Sequence, residues 1–215
     1  SLDETINKRV EFLTGYQNDA YAAEYKAFVD KVRAAETKLG TTTRLSEAVA
    51  RYLFKLMAYK DEYEVARLHT DASFLAKINA QFEGDFKLVH HLAPPLIAAK
   101  NDKGELVKKP FGPWVRSAFG LLAKLKGLRG TAFDIFGYTE ERRTERALIG
   151  EYRAAIEELL AGLEQGKLAL AVEIAKLPED IRGYGHVKER HLEVARAKWS
   201  ELMARWRAPA QAKAA

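Results

Sequence analysis

Helical periodicity runs through almost all of these 215 residues and lapses in one place, ahead of Pro113, and that pattern constrains the fold more than anything else in the chain. Apolar side chains that recur every three or four positions mark helices with one buried face. Leu2 to Thr14 reads as a short helix. Asn18 or Asp19 can cap a longer one with Tyr21, Tyr25, Phe28, Val29, Val32 and Leu39 on one face and Gly40 as the stop. Thr43 or Ser46 opens the next, burying Val49, Leu53, Leu56 and Met57. Asp61 restarts the pattern through Leu68, and Asp71 or Ser73 caps a further helix to Phe82. Beyond the lapse, Pro113 suits the first turn of a helix carrying Trp114, Phe119, Leu122 and Leu125. Thr139 caps a long helix through Leu160, Gly166 to Leu177 forms another that Pro178 breaks, and Val187 to Trp206 closes the chain.

The lapse itself has the period of a strand. Asp85 to Leu92 alternates, with Phe86, Leu88, His90 and Leu92 on one side, until Pro94-Pro95 stops it. Asn101-Asp102-Lys103-Gly104 is a turn signal between IAAK and ELVKK, an exposed hairpin. The expected fold is therefore mainly α: a multi-helix single domain over 1–215 with a small β-hairpin element around residues 84–110. Leu53, Leu56, Phe74, Phe82, Trp114, Leu122, Tyr152 and Leu159 are the expected core. No internal repeat is visible. The start lacks an initiating Met and an apolar signal core, and residues 207–215 read as a disordered tail, so the chain is expected to be the C-terminal part of something longer.

The net charge of +5 is uneven. From Lys100 to Arg129 lie eight basic residues against two acids, a local +6 that suggests an acidic partner, phosphates or nucleic acid. Cysteine is absent, which excludes disulfides, thiolate-held zinc and cysteinyl iron–sulfur clusters from this segment and fits a reducing, cytoplasmic setting. No run approaches the ~20 apolar residues needed to cross a bilayer.

Residues for catalysis or metal binding do not converge. His90 and His91 are neighbours in an expected strand and point to opposite faces; His186 and His191 lie about 140° apart on a helix; His69 stands alone. The run Glu140, Glu141, Arg142, Arg143, Glu145 and Arg146 reads as ion pairs three apart along one helix, as do Lys60–Glu64 and Glu64–Arg67 four and three apart. Two glycine loops offer anion sites: Arg129 in Gly127–Thr131, and Arg182, His186 and Lys188 around Gly183 and Gly185 at a helix start.

Four phrases carry a family resemblance: YLFKLMAYKDEYEVARLHTD, FEGDFKLVHHLAPP, FGPWVRSAFGLLAKLKGLRGTAFDIFGYTEERRTERALIGEY and LPEDIRGYGHVKE. In order, from about Asn18 to Trp206, they resemble the C-terminal region of indolepyruvate:ferredoxin oxidoreductases, members of the 2-oxoacid:ferredoxin oxidoreductase family. The resemblance implies an iron–sulfur enzyme that oxidatively decarboxylates arylpyruvates, using thiamine diphosphate with Mg, coenzyme A and [4Fe–4S] clusters. The family's thiamine motif needs Gly-Asp-Gly, and Gly84-Asp85-Phe86 lacks the second glycine; the cluster cysteines are missing. No catalytic residue and no cofactor is therefore assigned to this chain. The expectation is an accessory structural and docking domain whose partners are the catalytic modules of the same enzyme. Lys100, Lys103, Lys108, Lys109, Lys124 and Lys126 would face an acidic ferredoxin. The alternative is an independent basic helical module that binds nucleic acid or another polyanion, against which stands the placing of most aromatic residues at core spacing.

Overall fold

A computed structural model gives the fold and describes residues 1–82, 89–92, 101, 107, 109–112, 114–183 and 185–208. In chain order the elements are α1 (Leu2–Tyr16), α2 (Asp19–Thr37), α3 (Arg44–Met57), α4 (Glu62–Thr70), α5 (Ala72–Gln81), β1 (His90–Leu92), β2 (Lys109–Phe111), α6 (Val115–Lys124), α7 (Glu140–Ala161), α8 (Leu168–Lys176) and α9 (Gly185–Arg207). Short 3-10 turns cover Leu125–Leu128, Gln165–Lys167 and Leu177–Asp180. The protein is mainly α. Among the described residues no helix is long and apolar enough to cross a membrane. The chain packs as two compact units, Ser1–Tyr59 with Arg143–Ala215, and Lys60–Arg142. Neither boundary has linker composition, which is why the sequence reads as one domain.

The first unit is built on capped helices around one large core. Ser1 and Glu4 form a reciprocal capping box on α1, and the Asn18 side chain accepts the Tyr21 amide at 2.9 Å to start α2. Leu13, Val29, Val32, Leu53, Ile156, Leu159 and Ile174 are among the side chains sealed inside. Tyrosines reach into this core because their rings fill it and their hydroxyls find carbonyls. Tyr16 donates to the Tyr59 carbonyl, Tyr21 to Met57 and Tyr25 to Ala50, each at 2.9 Å, while Tyr152 donates to Ala175 at 2.8 Å. Met57 and Tyr59 lie at the end of α3, where carbonyls lack helical partners. The start of α3 is served from another helix: the buried Glu36 carboxylate, in α2, accepts the Leu45 and Ser46 amides at 2.8 Å and the Ser46 hydroxyl at 2.6 Å. Thr43 makes no side-chain cap.

A ladder of opposite charges ties α7 to α9 in the same unit. Glu145 pairs with Lys188, Glu151 with Arg196 at 3.0 Å, and Glu158 with Arg207 at 2.6 Å. The order of the rungs makes the two helices parallel, with α8 returning between them in sequence. Tyr152 meets Trp199 edge to face between the rungs. Glu145, buried on α7, thus pairs with Lys188 on another helix.

The second unit has a much smaller core. Ala66 of α4 packs with Val115 and Phe119 of α6, supported by Phe111, Leu122 and Ala123. β1 and β2 pair antiparallel, with His90 opposite Phe111 and Leu92 opposite Lys109. The minor β element falls where the sequence places it, ending at Phe111; Phe86, Leu88 and most of the expected turn and its IAAK and ELVKK arms lie outside the described residues. Leu53, Leu56, Tyr152 and Leu159 are buried as expected, and Leu122 is half-buried. Phe74, Phe82 and Trp114 are exposed, contrary to expectation. Helical spacing marks these positions as apolar but does not say which side of α5 or α6 the rest of the unit packs on.

Candidate functional site

The second unit holds a buried cluster of charged and phenolic groups that its sequence positions from two directions. Asp61, the N-cap of α4, accepts the Glu64 amide at 2.9 Å. Arg129, at the end of the 3-10 turn after α6, brings its guanidinium onto the same carboxylate, Nε at 2.5 Å from Oδ2 and a terminal nitrogen 2.9 Å from Oδ1. The guanidinium also lies 5.6 Å from the Tyr63 ring centre. Tyr63 donates to Asp134 Oδ1 at 3.2 Å, and the Asp134 carboxylate takes the Gly130 amide at 2.8 Å and the Gly137 amide at 3.0 Å. Burial, and then the neighbouring Asp134 charge, push the Tyr63 phenol well above its ordinary range. Glu64 and Arg67 form a two-pronged pair at 2.8 Å, which raises the arginine. Glu62 pairs with Arg142 at 3.3 Å.

Each donor in this cluster has its acceptor, so the arrangement is suited to holding backbone in place. Among the described residues no three histidine or carboxylate side chains are placed to share a metal ion. A surface groove of about 400 Å³ lies in the first unit along α7 and α9 over Ala154, Ala155, Trp199 and Met203.

The four anion-site candidates take separate positions. Arg129 is buried in the second unit on Asp61. The other three belong to the first. Arg182 is exposed and donates to the Glu179 carbonyl at 2.9 Å. His186 is exposed in the first turn of α9, and Lys188 is committed to Glu145. Gly183 there is a steric requirement: it has φ +92°, and a Cβ would come within 2.8 Å of Val187. Nearby, the Tyr52 hydroxyl binds Glu179 at 2.7 Å and holds that carboxylate below its usual range. Lys55 donates to the Pro178 carbonyl at 2.6 Å, and burial lowers its ammonium. Of the basic window, Lys109 and Lys124 are exposed and Lys126 is half-buried, while Lys100, Lys103 and Lys108 lie outside the described residues.

The outward face of the second unit has a consistent composition. Among its described carboxylates, Asp61, Glu62, Glu64, Asp71 and Asp134 are engaged inside the unit. Glu140 and Glu141 sit in the first turn of α7, where the helix dipole favours them. Lys109, Arg116 and Lys124 are exposed and have no ion-pair partner among the described residues. Large apolar side chains are exposed as well: Trp114, Leu121 and Leu125 follow one line along α6, turned away from the Val115–Phe119 contact, and Phe133, Ile135 and Tyr138 are exposed in the loop that follows. Sequence reasoning read Asp61 as a cap alone and overlooked Tyr63 and Asp134. A lone acid between Phe133 and Ile135, flanked by Gly130 and Gly137, was the available signal.

No curated protein and no solved structure matches the chain. Residues 2–201 match a family described as one of unknown function, DUF6537. That match covers nearly the whole chain, from α1 into α9, and the chain belongs to the DUF6537 family.

Proposed function

We propose that the chain is an accessory docking domain of an arylpyruvate:ferredoxin oxidoreductase, working in the cytoplasm beside modules that carry the thiamine diphosphate and [4Fe–4S] chemistry. The observation that carries this reading is the surface of the second unit, where Asp61, Glu64 and Asp134 are engaged inside and Trp114, Leu121, Leu125, Phe133, Ile135 and Tyr138 stand exposed. Along α6, Trp114, Leu121 and Leu125 make one exposed apolar line, and apolar surface of this kind marks a contact with another macromolecule. The four matching phrases support the choice of enzyme. Mixing the chain with the catalytic polypeptide of such an enzyme should give a co-eluting complex; its absence at micromolar concentrations would sink the proposal. An acidic ferredoxin is the second partner. Charge reversal at Lys109 and Lys124 in the complete enzyme should slow ferredoxin reduction at low salt and spare a small neutral dye.

One observation favours polyanion binding. Trp114, Phe133 and Tyr138 are exposed in the same unit as Arg116 and Lys124, so aromatic stacking surfaces do accompany bases. Leu121, Leu125 and Ile135 are exposed in the same unit, and aliphatic side chains have far more to gain from a protein than from stacked bases. Salt-sensitive binding of a single-stranded RNA oligonucleotide, lost in Trp114→Ala, would establish the alternative.

A further inference from the structure

Lys55, on α3 in the first unit, holds its amine differently from the lysines around it. Its Nζ donates to two backbone carbonyls, Pro178 at 2.6 Å and Glu179 at 3.2 Å, and among the described residues no carboxylate pairs with it. Lys26, Lys31, Lys188 and Lys198, by contrast, each pair with a carboxylate. Burial lowers the Lys55 ammonium first; Arg182 and Lys188 lower it further, against the opposing pull of Glu179 and Asp180. The residue is nevertheless exposed at the surface. A neutral amine has two N–H groups and one lone pair. Two carbonyls satisfy both N–H groups and leave the lone pair unengaged, whereas an ammonium in the same place has a third N–H to satisfy. The Arg182 Nε donates to the same Glu179 carbonyl at 2.9 Å, so guanidinium and amine stand side by side on one acceptor. The Arg182 side chain is 65% exposed, and a terminal nitrogen lies 3.6 Å from Glu179 Oε1, a loose pair that leaves most of its donors to solvent.

We propose that Lys55 is a site of covalent acylation by acyl phosphates, with Arg182 receiving the phosphoryl group. A lysine that is desolvated beside another cation is activated as a nucleophile, because less of it is held as ammonium at neutral pH. A planar guanidinium suits the oxygens of a phosphoryl group. The Lys55 nitrogen attacks the acyl carbonyl carbon. An N–C bond forms as the bond from that carbon to the phosphoryl oxygen breaks, the amine proton passes to solvent, and inorganic phosphate leaves beside Arg182. The product is a neutral amide with a single N–H, which serves one of the two carbonyls and not both. Acylation therefore also releases one tie between α3 and the Leu177–Asp180 turn. This site lies in the first unit and does not depend on the docking reading.

The test incubates the 215-residue chain with acetyl phosphate at neutral pH and follows each acetylated lysine over time by peptide mass spectrometry. Lys55 should be acetylated several-fold faster than Lys31, which Glu157 holds as an ammonium, and than Lys124, which is exposed to water. Added inorganic phosphate should slow the reaction at Lys55 and spare Lys124. Arg182→Gln, at an exposed side chain, should keep the wild-type melting temperature and lose most of the preference for Lys55 with acetyl phosphate. N-hydroxysuccinimidyl acetate, an acyl donor without phosphate, should still acetylate Lys55 faster than Lys31 in that variant. Equal rates at Lys55 and Lys124 with acetyl phosphate overturn the proposal. A preference for Lys55 that survives Arg182→Gln and ignores added phosphate overturns the role of Arg182, and with it the choice of an acyl phosphate.

Discussion

Arg129 and Asp61, 68 residues apart in the chain, meet inside the second unit through two hydrogen bonds, while the same carboxylate caps α4. One side chain thereby starts a helix and neutralises the arginine from which the exposed loop departs. Breaking such a pair costs more than making it gains, because the survivor is left charged and dry.

Asp61→Ala should therefore destabilise the second unit by about 3–5 kcal/mol, a large part of what a small domain has. Denaturant unfolding followed by hydrogen exchange in α4 and α6 would measure it. A loss under about 1 kcal/mol would mean that water reaches the pair and screens it.

The Glu145–Lys188 rung makes a two-residue test. Lys188→Met removes the α9 ammonium paired with the buried Glu145 carboxylate and should cost about 2–4 kcal/mol, less than a fully buried pair because Lys188 keeps some exposure. Adding Glu145→Met should recover most of that loss. Additive effects in the double-mutant cycle would show that the two do not interact.

Alkaline pH should unfold the protein through its tyrosines. Burial holds Tyr63, Tyr25 and Tyr152 above the ordinary phenol value of 10.0. The folded state keeps these protons more tightly than the unfolded chain, so the contribution is complete below 10.0 and is lost as pH rises beyond it. The tyrosinate absorbance of these groups should appear together with loss of helical circular dichroism. Smooth titration of all nine tyrosines within an intact fold would contradict it.

Trp114→Ser with Leu121→Ser should leave the melting midpoint within about 0.5 kcal/mol of wild type, since both side chains are exposed. Binding of a hydrophobic dye should fall. A cooperative loss of structure would place the pair in the core.

Helix positions were legible because each carries its own start signal: Asn18, Asp61, Asp71 and Thr139 lie at the starts expected of them. α3 also starts after Thr43 as expected, but the groups that satisfy its two ends were not legible, since Tyr16, Tyr21 and Glu36 act from other helices, and periodicity records nothing about which helix a side chain reaches. The same limit misplaced Trp114 and Phe74. Their spacing on a helix is that of a core residue, and spacing does not say on which side the rest of the unit packs. Within the site, Arg129 stood out by its glycine neighbours, but a guanidinium offered to an outside anion and one consumed by Asp61 have the same local sequence.

The first unit draws on both flanks of the chain, and its contacts span the second: Lys31 reaches Glu157 at 2.5 Å, and Tyr52 reaches Glu179. A ribosome making this protein releases α1, α2 and α3 well before α8 and α9 exist. The early helices must wait, with part of their apolar faces uncovered, while more than 80 intervening residues emerge. Collapse of those residues into their own unit shortens the excursion between Tyr59 and Arg143 and lowers the entropy lost when the late helices join the early ones. The buried Asp61–Arg129 contact, which closes a long loop inside that excursion, would then help to assemble a core to which neither residue belongs.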